Sequence, residues 1–446
     1  MHRVSGHPNA PVWKKGLFCL ALLGLSAACG GPAEGLEAEL PPASVPTSEQ
    51  ASEGAESVPP RPVSPVVTPW FRGFGGPQDD VGTGVAVDGA GNVSVVWVST
   101  PRQDAEREPV EGERLALHLS HYAPDGTGLW TREFPRNRVD ALRVVASPGG
   151  ALFVTGNAFL YDIDFGLGAA SRGFLVKFSE EDGTALWQRR VGQKVYASVA
   201  DAEGGVLVLG EDWTNGRAPL LARYDAEGEL SWSRRFDAVA PGSALRALAL
   251  GPSGERVVAG RLEGVLNVDG RTLGAPDVSS LIVLAFDAQG RLVWSREARG
   301  ADVQVSGVKV AADGGVELVG EAAASFPWGG TTLPPGAFVL ALGPEAEERW
   351  SGPLACGASP TAPALALDAT GQVVVLCGDT LSTYSAEGDV YAQRPVTPGA
   401  CEGETCEVTG TGLAVLPRGG YVLTGLQRRG DVASGDQDAF VRLLAP

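Results

Sequence analysis

Methionine is all but missing from this chain of 446 residues: Met1 is the only one. Histidine is nearly as scarce, with four residues, of which only His118 and His121 lie beyond position 7. Those two sit three apart in a segment of strand character. At i and i+3 on a strand they face opposite ways, so they share neither a metal ion nor a proton relay. No G-x-S-x-G elbow, P-loop or H-E-x-x-H helix motif is present. The acidic fragments Asp79–Asp80 and Asp162–Asp164 are the nearest approach to a calcium site, and isolated acidic pairs are ordinarily solvated. The expectation is therefore no cofactor, with calcium the residual option. Positive charge is also short, 35 Lys and Arg against 53 Asp and Glu, a net charge of -18. Such a surface repels phosphate backbones and excludes nucleic acid as a partner class. Gly at 61 and Pro at 32 suit a fold with many turns rather than a helical one.

Only one long apolar run exists, "GLFCLALLGLSAA" from Gly16 to Ala28, preceded by Arg3, Lys14 and Lys15. It is too short to span a membrane as a mature helix and reads as an export signal over residues 1–28. It ends in "LSAAC", which resembles a bacterial lipobox with Cys29 as the lipidated first residue; Ser26 stands where leucine is usual. Gly30 after the cysteine implies, by the same resemblance, sorting to an outer membrane. Residues 29–68 are rich in Pro, Glu, Ala and Ser and lack apolar periodicity, so they bury too little surface to offset ordering entropy. They read as a tether with a flexible-coil span of roughly 35 Å. Beyond Cys29 the cysteines are Cys356, Cys377, Cys401 and Cys406, an even number suited to an oxidising compartment. Their places in the repeat described next pair Cys356 with Cys377 and Cys401 with Cys406.

From residue 69 to residue 446 one unit recurs. It opens with two short apolar strands around a glycine turn, as in "VAVDGAGNVSVVW", "SVADAEGGVLVLG" and "LALDATGQVVVLC". Seven such hairpins can be counted. A variable stretch and a third strand follow each ("GFLVKF", "LIVLAF"). Six units then add a fourth strand, "GLWTREF", "ALWQRRV", "ELSWSRRF", "RLVWSREA", "EERWSGPL" and "GDVYAQRPV". The seventh unit ends after "AFVRLLAP" without one, while "TPWFRGF" at residues 68–74 carries the W-x-R-x-F order ahead of the first hairpin. An N-terminal strand that completes the last unit closes a ring and removes the unpaired edges an open array would leave. The fold class is all-β: a single seven-bladed β-propeller with four antiparallel strands per blade.

Side chains at i, i+2 and i+4 of a strand share one face. Trp70 with Arg72, Trp130 with Arg132, Trp187 with Arg189, Trp232 with Arg234 and Trp294 with Arg296 therefore point one way, and Trp350 stands alone because Gly352 occupies the arginine position. These residues lie on outer strands, far from a central channel, and are expected to staple neighbouring blades. The variable stretches carry Phe159, Tyr161, Trp213, Phe326 and Trp328, which are candidates for ligand contact or for packing in accessory hairpins.

The segment "GFGGPQDDVGTGVAVDGAGNVSVVW" resembles the repeat of bacterial seven-bladed propeller lipoproteins, and "EEDGTALW" resembles the tryptophan-bearing turn of quinoprotein-like propellers. That family includes quinone-dependent dehydrogenases and outer-membrane assembly scaffolds, so the resemblance speaks to fold more than to activity. What it implies is a lipid-anchored monomer of the bacterial cell envelope, attached to the membrane through lipid alone, that binds an envelope protein or a glycan as a scaffold. The alternative is a hydrolase, lyase or quinone-dependent dehydrogenase that uses the channel mouth.

Overall fold

The computed structural model divides into two units, Met1–Arg61 and Pro62–Pro446. It describes residues 67–446 apart from 76–78, 101–114, 136–138, 215, 237–239, 241, 357–360, 397–405 and 430–436. The signal expected over 1–28 and nearly all of the tether expected over 29–68 lie outside the described residues.

The described chain is a seven-bladed propeller. Strand β1 (Trp70–Phe74) comes first. Blade 1 is β2 (Asp79–Val87), β3 (Val93–Thr100), β4 (Ala116–Tyr122) and β5 (Gly128–Pro135). Blade 2 is β6 (Val139–Ala146), β7 (Leu152–Asp164), β8 (Ala169–Phe178) and β9 (Ala185–Arg190). Blade 3 is β10 (Lys194–Ala200), β11 (Val206–Asp212), β12 (Ala218–Tyr224) and β13 (Leu230–Arg235). Blade 4 is β14 (Ala244–Leu250), β15 (Arg256–Val268), β16 (Arg271–Phe286) and β17 (Leu292–Arg299). Blade 5 is β18 (Val303–Val310), β19 (Val316–Ala322), β22 (Gly336–Leu342) and β23 (Glu348–Pro353), with an inserted hairpin of β20 (Phe326–Trp328) and β21 (Thr331–Leu333). Blade 6 is β24 (Ala364–Leu367), β25 (Val373–Cys377), β26 (Thr380–Tyr384) and β27 (Val390–Pro395). Blade 7 is β28 (Cys406–Val415), β29 (Tyr421–Arg429) and β30 (Gln437–Leu444), and β1 is its fourth strand, paired antiparallel so that Trp70 opposes Leu443 and Phe74 opposes Ala439.

The innermost strands β2, β6, β10, β14, β18, β24 and β28 touch their neighbours in that order, and β28 touches β2, so the ring is closed. Each adjacent pair of blades encloses one apolar cluster, seven in all among the described residues. The second strand of a blade is buried on both faces and reads as a continuous apolar run, as in Val373–Cys377. This is why the hairpins are visible in sequence as blocks rather than as alternation.

Three of the variable stretches fold back over the grooves between blades. In blade 2 Ile163 and Phe165 are buried, and the Phe165 ring lies 5.0 Å from Phe134 of the preceding blade. In blade 4 Leu266, Val268 and Leu273 join a cluster with Phe236, which follows β13. The tip of that hairpin is Asp269, whose carboxylate accepts from the Arg234 guanidinium at 2.7 Å and from the Leu292 amide at 2.7 Å. In blade 5 Phe326, Trp328 and Leu333 pack with Phe338. A disulfide joins Cys356, on the way into blade 6, to Cys377 at the end of β25, with the Cα atoms 5.1 Å apart. Cys401 lies outside the described residues, and with it the pairing expected for Cys401 and Cys406.

Candidate functional site

The outer strands show one recurring contact. Trp70 donates its indole N–H to Pro124 O at 2.9 Å, Trp130 to Glu180 O at 2.8 Å and Trp187 to Ala226 O at 3.0 Å. Each acceptor lies in the turn before the last strand of the next blade. The turn glycine sits under the ring: a Cβ on Gly126, Gly183, Gly228 or Gly388 would come within 2.7 Å of Trp70, Trp130, Trp187 or Trp350 respectively. All four glycines have positive φ. The arginines reach the same turns. Arg132 donates to Asp182 O, Arg189 to Gly228 O at 2.6 Å and to Glu229 at 2.9 Å, and Arg234 to Gly290 O at 2.7 Å. Arg72 lies 5.8 Å over the Trp70 ring. Trp232 is covered by Arg256 of blade 4, at 4.5 Å, and Arg296 lies over Trp328 of blade 5, at 5.6 Å. Trp294 packs against the cluster shared by blades 4 and 5. The face these residues present is thus filled by the neighbouring blade.

His118 and His121 are buried in β4. His118 stacks on Trp97 with ring centroids 3.6 Å apart and meets the Ser99 hydroxyl at 3.0 Å; His121 meets the Ser94 hydroxyl at 2.9 Å. Burial lowers His118 to about 4 and pulls His121 below its ordinary value, partly offset by Asp88, so both are neutral at physiological pH. Among the described residues no group of three or more His, Cys, Asp and Glu is placed to hold a metal. Asp164 instead caps its own turn, accepting from the amides of Gly166 and Gly168.

Of the loop aromatics, Phe326 and Trp328 are fully buried, at 0% and 2% exposure. That removes them from the ligand-contact set: their apolar area is spent on the groove between blades 4 and 5. Phe159 and Tyr161 lie within β7, and their side chains are outside what is described. Trp213 differs. It is 43% exposed, in the short link between β11 and β12. Its indole N–H donates to Glu211 at 2.9 Å. Arg217 grips the same carboxylate with two bonds, at 2.8 and 2.9 Å, and lies 5.6 Å over the Trp213 ring. Tyr196 of β10 donates to Glu211 at 2.7 Å, and Arg246 of β14 lies 5.2 Å over the Tyr196 ring. Burial pushes the Glu211 carboxyl up, but the bonds from Arg217, Tyr196 and Trp213 outweigh it and hold it below the usual range. The link is pinned further by Asp212, which accepts from the Thr214 amide, and by Arg235, which donates to Gly216 O at 2.8 Å. Residue type alone singles out Trp213, but not Tyr196, Glu211, Arg217 or Arg246. The run "GEDWTNGR" carries the one usable signal, an acid and a base flanking an exposed aromatic.

Tyr196 also lines the channel. The mouth of the channel encloses about 530 Å³ and is bordered by Thr83, Arg143, Tyr196, Arg246, Gln304, Ser306, Lys309 and Thr411 among others. Toward the C-terminal ends of the first strands the channel lining is mostly Val, Leu and Ala, with Lys309 bordering both parts.

These features define a closed, rigid propeller with an organised polar centre at one channel end. The model of the family described as outer membrane protein assembly factor BamB matches residues 118–272 and, in an overlapping span, 171–436. The chain belongs to that family. Among solved structures it is similar to the β-propeller domain of Cps50 (Swd1) from Myceliophteria thermophila, at 9% identity over 84% of this chain and 100% of that one, TM-score 0.44. It is similar also to a protein of unknown function from Bacteroides caccae, at 13% identity over 61% and 92%, TM-score 0.37. A third is the polysaccharide lyase Uly1, at 11% identity over 82% and 90%, TM-score 0.48. No curated protein matches the chain.

Proposed function

We propose that the protein is a scaffold of the bacterial cell envelope that docks a protein partner on the face bearing Trp213. The family description, an outer membrane assembly factor, supports the compartment and the class of role. The observation that carries the docking site is Trp213 itself, an exposed indole locked by Glu211 and Arg217. Rigid Trp and Arg side chains that need no further ordering are the typical anchors of protein interfaces. Arg217 occupies one ring face, which favours a protein over a sugar stacked on the indole. A binding role is favoured over proton transfer at the mouth because burial and the bond to Glu211 push Tyr196 up to about 12, far from the operating pH and so a poor proton donor.

A photo-crosslinking amino acid in place of Trp213 is expected to give one discrete heavy adduct in intact cells. The same probe at Tyr391, 73% exposed on the outer rim, is expected to give none. Equal adduct yields at both positions would count against a specific docking face. Attachment is proposed to run through a lipid on Cys29, so Cys29→Ser is expected to move the protein from the membrane pellet to the soluble fraction; retention in the pellet would refute the anchor.

A further inference from the structure

The channel mouth is built by a repeated irregularity. The pairing of the first and second strands slips by one residue between Gly82 and Gly84, Val195 and Ala197, Leu245 and Ala247, Val305 and Gly307, and Gly410 and Gly412. The residues left over are Thr83, Tyr196, Arg246, Ser306 and Thr411, and all five border the mouth. A bulge re-aims one side chain, and here it does so blade after blade. The three hydroxyls donate to backbone carbonyls: Thr83 to Val96, Ser306 to Pro363 at 2.6 Å and Thr411 to Gly82. Their protons are thus engaged, and their oxygens remain acceptors.

The charge in the mouth has one sign. In a chain of net charge -18, no Asp or Glu is among the described residues that border the mouth or the rest of the channel lining. Arg246, in blade 4, lies over the Tyr196 ring and has no hydrogen-bond or ion-pair partner among the described residues. Lys309, in the adjacent blade 5, has no hydrogen-bond or ion-pair partner among the described residues. Its side chain is exposed to the channel space, yet the walls around it lower its pKa, a cost that a bound anion would offset. Its cross-strand neighbour is Glu317, but that carboxyl is buried, and burial raises it to about 7, with Arg349 and Asp313 the charges acting on it. Glu211, behind Tyr196, is already neutralised by Arg217. Arg246 and Lys309, two cations with no ion-pair partner among the described residues, focus a positive potential in a confined cavity where a small anion fits.

We infer that the mouth binds a hydroxylated carboxylic acid of monosaccharide size, with the carboxylate held by Arg246 and Lys309 and the hydroxyls donating to Thr83, Ser306 and Thr411. The volume of about 530 Å³ lies within the range of small-molecule sites. This goes beyond partner docking at Trp213 and does not depend on it.

Isothermal titration of the full chain in detergent with glucuronate, glucose and inorganic phosphate tests the assignment. Glucuronate is expected to bind, glucose not to bind, and phosphate to bind at least 10-fold more weakly. Arg246→Met and Lys309→Met are each expected to weaken glucuronate at least 10-fold, and Lys309→Arg to stay within about 3-fold of the parent. Melting temperatures without ligand separate lost binding from lost folding. Equal binding of glucose and glucuronate, phosphate as tight as glucuronate, no binding of any probe, or Lys309→Met without effect would each overturn the proposal.

Discussion

Deletion of residues up to 75, leaving a fresh export signal, is expected to lower the melting temperature by about 10–20 °C. β1 supplies the whole fourth strand of blade 7. Trp70 is buried, Phe71 stacks on Phe440 with centroids 6.1 Å apart, and Phe74 meets Trp97 of blade 1 at 5.0 Å. Burying Trp70 and half-burying Phe71 and Phe74 contributes about 3–6 kcal/mol, at roughly 1.5–3 kcal/mol per fully buried side chain, a large share of the stability of an ordinary domain. The loss also bares the edge of β30, an open template for aggregation. A synthetic peptide spanning 67–75 is expected to restore part of the lost stability. A melting temperature unchanged by the deletion would show that the ring does not depend on this strand.

Gly228→Ala is expected to cost about 2–5 kcal/mol. Two effects add. At φ +81 an L side chain is strained, by about 1–2 kcal/mol. The new methyl would also sit 2.7 Å from the Trp187 ring, and overpacking of this kind costs roughly 1–3 kcal/mol. Gly371→Ala separates the two: Gly371 has φ +84, but a methyl there would meet nothing within 4 Å, so only the backbone cost remains. Denaturant midpoints of the two variants measure the difference, and equal shifts would remove the blade-to-blade contact as a source of stability. Blade 5 offers the reverse experiment. Its turn places Ala346 at φ 68 where the other turns place glycine. Ala346→Gly is expected to stabilise by up to about 1 kcal/mol, because relief of the strained φ exceeds the entropy lost to a freer unfolded chain.

The ring and its closing strand were legible because they rest on composition at fixed spacing. Glycine turns, buried second strands and a tryptophan in six of the seven outer strands recur at fixed places in the unit, and "TPWFRGF" at the wrong end of the chain reveals how the circle is completed. The mouth was not legible. Arg246 and Lys309 look like ordinary surface residues of an alternating strand, and a one-residue slip in pairing leaves no mark in a single sequence. The variable stretches misled in a different way. Phe326 and Trp328 have the composition of a binding loop, but a hairpin that folds back on its neighbours turns the same aromatics into core. Trp213 stayed exposed because its link is too short to fold back and is held down by Glu211 and Arg235.

The pairing of Trp70 with Leu443 also imposes a schedule. The first strand to emerge during synthesis must wait for the last, about 370 residues later, or roughly 20–70 s at 5–20 residues per second. Throughout that interval blades 1 to 6 can form in order, each resting on the one before, but the circle has a gap, and both of its lips are apolar strand edges. The hazardous species for this protein is therefore a late, nearly complete crescent, and a chaperone that guards it would have to shield the two ends of the chain at the same time.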